Sequence, residues 1–134
     1  MRIPIYGSKL HVGIGADPAS CITALPADIR RAVSEEDKAK LLTNEWAGYT
    51  LDFEDGNYAI LLCDDAGGIN VSTIFHEVGH TTLYVCERHG VTITSGSHEA
   101  FAYLAGWIGE QVMIRVEAWR RLHPLNTKPK RGII

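Results

Sequence analysis

The sequence predicts an α+β domain in which a small antiparallel β-sheet of hairpins packs on two core helices. Three observations carry this. Tyr49, Leu51 and Phe53 alternate with Thr50, Asp52 and Glu54, the turn-forming Glu54-Asp55-Gly56-Asn57 follows, and an apolar run over residues 58–63 completes a hairpin. Two longer stretches, residues 72–89 and 98–122, read as helices between capping and stop residues, and the second places its apolar residues at helical spacing. Near the start, Tyr6-Gly7-Ser8-Lys9 separates two short runs with β-branched residues, the pattern of a second hairpin over residues 2–14.

Taken in order, Asp17-Pro18 closes the first hairpin. Ile29, Ala32, Val33, Leu41 and Leu42 are separated by charges, and Ser34-Glu35-Glu36-Asp37 reads as an N-cap followed by an acidic first turn, so one or two short helices are expected over residues 28–42. Asp64-Asp65-Ala66-Gly67-Gly68 ends the second hairpin. Ser72 or Thr73 is the expected cap of the first long helix, with Gly90 as its stop. The second long helix follows Ser95-Gly96-Ser97 and is stopped by Pro124. Phe101, Leu104, Ala105, Ile108, Val112 and Val116 recur every three or four residues, which places much of this helix inside the domain.

With 134 residues, 46% of them hydrophobic and 22% charged, the chain suits one domain, residues 1–125, with a flexible basic tail over 126–134. A chain of this size can bury about two-thirds of its unfolded surface, so neither disulfides nor oligomerisation is needed for stability. The net charge of −3 gives no electrostatic reason to expect nucleic acid as a partner. Charge is nonetheless uneven. Nine acids lie in residues 35–65 against Lys38 and Lys40, and six basic residues lie in 115–131 against Glu117, a solvated acidic face and a solvated helix end or a partner-binding tail. Cys21, Cys63 and Cys86 are odd in number and form no CxxC pair, which predicts free thiols in a reducing compartment. No secretory signal pattern opens the chain and no run approaches 18 apolar residues, so a cytoplasmic protein without membrane partners is expected.

The chemistry concentrates in His76-Glu77-Val78-Gly79-His80, an H-E-x-x-H segment inside an expected helix. Residues four apart are about 40° apart around a helix, so His76 and His80 project from one face and can share a metal ion. Glu77, about 100° from His76, stands beside the open position of such a metal, where it can accept a proton from water. A zinc site needs a further protein ligand. The extended pattern with Gly at 83 and His at 86 is excluded, because Leu83 and Cys86 occupy those positions. Cys86 falls about 240° from His80 on an unbroken helix and reads as a small core residue. Glu99 is the better candidate, since it follows His80 after eighteen residues and opens the second long helix in Ser97-His98-Glu99-Ala100-Phe101-Ala102-Tyr103, where a helical hairpin can return it.

In these residues the chain resembles the gluzincin metallopeptidases, in which H-E-x-x-H is followed eighteen or nineteen residues later by a glutamate ligand, often within N-E-G-F-A. Glu99-Ala100-Phe101-Ala102 matches the core of that pattern, with His98 and Ala100 in place of Asn and Gly. The resemblance covers residues 74–108 and implies His76, His80 and Glu99 as zinc ligands and Glu77 as general base. In its size the chain is more similar to the small single-domain HExxH proteins of phages and mobile elements, including the ImmA/IrrE-type peptidases, where a short β-sheet precedes the motif helix. The hairpin 49–63 would fill that role, and its edge strand could bind an extended peptide. The resemblance thus implies a zincin-like fold and a zinc-dependent hydrolase acting on a peptide or protein substrate.

Other residues carry two readings each. Tyr103, one turn after Glu99, is either an oxyanion donor near the metal or a core aromatic. His98 and His89 are substrate binders or helix-end groups. Asp64 and Asp65 either orient a ligand histidine or end a strand. Arg115 and Arg120 either clamp a substrate carboxylate or solvate a helix end. Gly79, Gly106 and Gly109 each cost a helix about 1 kcal/mol relative to Ala, which close approach of the two helices would explain. Two further readings compete with the peptidase: a catalytically silent zinc-stabilised binding or regulatory module, and an ordinary amphipathic helix that binds no metal.

Overall fold

The computed structural model describes residues 1–3, 7–43, 45–65 and 68–124. The elements run β1 (Lys9–Gly15), α1 (Pro18–Thr23), α2 (Ala27–Ala32), α3 (Glu35–Thr43), β2 (Gly48–Asp52), β3 (Asn57–Cys63), α4 (Val71–Arg88) and α5 (His98–Leu122). The expected flexible tail, residues 126–134, lies outside the described residues, as do Tyr6 of the first turn and Ala66-Gly67.

The α+β class is present, but the sheet is mixed rather than antiparallel. Its strand order is β1-β3-β2, with β2 antiparallel to β3 and β1 parallel to β3 from Lys9↔Asn57 to Gly15↔Cys63. Of the expected hairpin at 2–14, the described residues show the antiparallel bridge Arg2↔Lys9, with the Ile3 amide donating to the Ser8 carbonyl and the Leu10 amide to the Met1 carbonyl, each at 2.6 Å. The physical reason lies in β3. Residues 58–63 are all buried, so this strand needs a neighbour on each edge and a layer on each face. Its side chains alternate between two clusters: Tyr58, Ile60 and Leu62 join Ile74, Val78, Val85, Leu104, Ile108 and Val112, while Ala59, Leu61 and Cys63 join Cys21, Leu25, Ile29, Val33 and Leu41. The sheet is therefore covered by α4 and α5 on one face and by α1–α3 on the other, not by two core helices alone.

Helix α1 was not visible in the sequence pattern. Asp17 caps it through a 2.8 Å bond from the Ser20 amide, with Pro18 in the first turn. It sits directly on β1, where a Cβ at Gly15 would come within 2.7 Å of the Cys21 nitrogen, so glycine is what admits the contact.

The cap of α4 is Asn70, whose side chain accepts from the Thr73 amide at 2.8 Å; Ser72 and Thr73, the expected caps, lie inside the helix. Gly90, with φ +70°, ends it as expected, and the Val91 amide returns to the Cys86 carbonyl at 2.8 Å. Helix α5 begins at His98 and buries Leu104, Ile108, Gly109, Val112 and Val116. Its far end is tied to the loop after β3 by Trp119 Nε1 donating to Asp64 Oδ2 at 2.6 Å and Arg120 donating to the Ile69 carbonyl at 2.7 Å.

Close approach of α4 and α5 does not explain the helix glycines. A Cβ would meet nothing within 4 Å at Gly79 or Gly106, and at Gly109 only Phe75 Cε1 at 3.9 Å.

Candidate metal centre

The α4 stripe Thr73, Glu77, His80, Tyr84 runs beside β2, one of the two edge strands of the sheet, while Ile74, Val78 and Val85 enter the core. This phase puts the motif at the seam between helix and sheet edge. His76 Nε2 and His80 Nε2 converge to 3.1 Å, with their rings nearly perpendicular at 80°. Both side chains face solvent at their outer edges, whereas Glu77 is 5% exposed. Its Oε1 lies 3.9 Å from His76 Nε2. The ligand atoms of His76, Glu77 and His80 all fall within 4.8 Å of one another, so this group could hold a metal ion.

Glu77 is held by a residue that sequence reasoning missed. Thr50 Oγ1 donates to Glu77 Oε2 at 2.9 Å and also lies 3.3 Å from the Glu77 carbonyl oxygen. Gly48 makes room for the carboxylate, since a Cβ there would come within 2.8 Å of both Glu77 Cγ and Thr73 Cγ2. The signal available in the sequence was the alternation in β2: once Tyr49 and Leu51 are assigned to one face, Gly48 and Thr50 share the other.

A cleft of about 220 Å³ opens here, lined by Gly48, Tyr49, Thr50, Glu77, His80 and Tyr84. A larger cleft, about 600 Å³, lies at the ends of β1 and β3 among Asp17, Trp46, Cys63 and Asp65, and contains no motif residue. The motif residues Glu77 and His80 line the smaller one. Hydrogen bonds from Cys63 N to Ala47 O and from Phe53 N to Asn57 O set the phase of the β2–β3 ladder. In that phase the amides and carbonyls of Gly48, Thr50 and Asp52 point away from β3, toward the free edge beside the cleft.

Glu99 is not part of the gathered group. It lies in the first turn of α5, its side chain 89% exposed, with His98 Nε2 3.7 Å from its Oε1. On a regular helix Glu99 falls about 140° from Leu104, so the residues that bury α5 turn Glu99 outward. Tyr103 shares that outer face, 64% exposed, and does not line the cleft.

The remaining candidates have structural partners. His98 Nδ1 lies 2.6 Å from the Ser95 carbonyl, and His89 Nε2 lies 3.3 Å from Ser8 Oγ. Asp64 and Arg120 anchor α5 instead of orienting a histidine or clamping substrate. Cys86 is a core residue, 1% exposed. The three cysteines are free thiols, and burial pushes the Cys21 thiol up to about 12.

Among the described residues no helix is long and apolar enough to cross a membrane. Comparison with family models, with curated proteins and with solved structures yields no match to this chain.

Proposed function

We propose that this chain is a zinc-dependent peptidase in which His76 and His80 hold the metal and Glu77 is the general base. The observation that carries the reading is the convergence of two imidazole nitrogens to 3.1 Å beside a buried carboxylate fixed by Thr50. Nitrogens bound at about 2.0–2.1 Å to one tetrahedral ion stand about 3.3 Å apart, so the observed pair is already near that spacing. Imidazole ligands suit zinc among the common divalent ions. A metal held there would polarise a peptide carbonyl and acidify water.

The chain's own residues supply the remaining steps. Glu77, directed by the Thr50 hydroxyl, accepts a proton from the attacking water and returns it to the leaving amine. The outward amides and carbonyls of Gly48, Thr50 and Asp52 can pair with an extended peptide and lay its scissile bond along the cleft. In this reading the substrate is an unfolded or extended segment of a peptide or protein.

The test is elemental analysis of metal-saturated, dialysed protein joined to cleavage of a fluorogenic peptide library. Wild type and Glu77→Gln should each retain about one zinc per chain, His80→Ala should lose it, and only wild type should cleave. Zinc retained without cleavage in wild type would favour the silent zinc-stabilised module. Absence of zinc from wild type would return the motif to an ordinary helix.

A further inference from the structure

Helix α4 carries an aromatic residue in the cleft that the motif does not include. Tyr84 lies one turn beyond His80 and lines the same cleft as Glu77, across from Gly48 and Thr50. Its ring is nearly parallel to the His80 imidazole, with 19° between planes and 6.3 Å between centroids. The ring is partly buried against the core cluster that contains Val85 and Tyr58, so packing sets its direction. Its hydroxyl has no hydrogen-bond partner among the described residues. A phenol in this position is a free donor on a rigid arm.

We propose that Tyr84 is a catalytic residue whose hydroxyl donates a hydrogen bond to the carbonyl oxygen of the scissile peptide. The inference rests on the metal-centre reading above and adds a residue to it, in the role that the sequence pattern offered to Tyr103. As the water oxygen bonds to the carbonyl carbon, the carbonyl π pair moves onto oxygen and Tyr84 stabilises that charge. The phenolic proton stays on Tyr84. Glu77 takes the water proton and delivers it to the amine nitrogen when the C–N bond breaks. Tyr103, on the exposed face of α5 and outside the cleft, takes no part.

The experiment uses cobalt(II)-loaded protein and acetohydroxamate, whose carbonyl oxygen accepts a hydrogen bond while the ligand chelates the metal. Affinity is read from the visible cobalt bands for wild type, Tyr84→Phe, Tyr103→Phe and His80→Ala, with thermal midpoints measured in parallel. Tyr84→Phe should keep the midpoint and the cobalt spectrum of wild type and bind acetohydroxamate about fivefold more weakly, the loss expected for one hydrogen bond. Tyr103→Phe should match wild type. Unchanged affinity in Tyr84→Phe, or the same loss in Tyr103→Phe, overturns the assignment while leaving the metal centre in place. A cobalt spectrum that His80→Ala does not alter overturns the metal centre itself, and Tyr84 with it.

Discussion

Thr50→Val removes one oxygen from the contact between the sheet edge and the motif helix and keeps the shape of the side chain. In the native protein that oxygen donates at 2.9 Å to a carboxylate on a residue that is 5% exposed. A hydrogen bond to a charged group contributes about 1.5–3 kcal/mol, and Glu77 is too deeply placed for water to replace the lost donor without rearrangement. Unfolding entropy of about 2.1 cal/mol/K per residue, over 134 residues, makes a loss of about 2 kcal/mol equivalent to a fall of about 7 °C in the thermal midpoint. The assay is thermal and urea denaturation at pH 7 of wild type, Thr50→Val and Thr50→Ser. Serine keeps the donor and should lose less than half as much. A Glu77→Gln background should weaken the effect of Thr50→Val, because the bond then joins two neutral groups. Equal destabilisation by valine and serine, or full stability of Thr50→Val, would refute the claim that this hydroxyl holds Glu77.

Further outcomes follow from the same geometry. Gly48→Ala should destabilise by about 1–3 kcal/mol, because its Cβ would press on Glu77 Cγ and Thr73 Cγ2 at 2.8 Å; urea denaturation checks this, and a crystal structure should show Glu77 displaced. Ile108→Ala should cost about 2–5 kcal/mol by opening a cavity between α5 and the sheet, read from the urea midpoint. The Cys21 thiol ionises near 9 when unfolded and at about 12 when folded, so the folded state holds its proton longer. That contribution is fully present below pH 9 and is lost as pH rises from 9 to 12, by up to about 1.4 kcal/mol per pH unit. Urea titrations at pH 8.5, 9.5 and 10.5 should show a decline that Cys21→Ser lessens. Native protein at pH 8 should react slowly with a thiol reagent, and denatured protein should release three thiols at once.

The motif helix and its neighbours were readable because their signals are local. The alternation at 49–53 and the turn at 54–57 specify β2 and β3 through residues adjacent in the chain. Gly90 ends α4 where a left-handed backbone is needed. The spacing of His76 and His80 alone placed both imidazoles on one helix face, and the structure brings their nitrogens together. The displaced cap at Asn70 is an error of two or three residues between neighbours that can all cap a helix.

What stayed hidden depends on contacts between distant segments. The parallel pairing of β1 with β3 joins residues 48 apart, and it follows from the need to cover both edges and both faces of a wholly apolar strand. Glu99 and Tyr103 were placed by spacing from the motif, but the orientation of α5 is decided by which of its faces buries Leu104, Ile108 and Val112, and those residues turn both side chains outward. Thr50 and Tyr84 carry no motif in their own neighbourhoods. They become neighbours of Glu77 and His80 only because β2 is the edge strand against which α4 packs. By itself the sequence determined that a histidine pair and a glutamate share one helix, since helical periodicity is a property of adjacent residues. Only the tertiary structure decided what surrounds them, because burial of the core sets the rotation of each helix and the edge of the sheet that it meets.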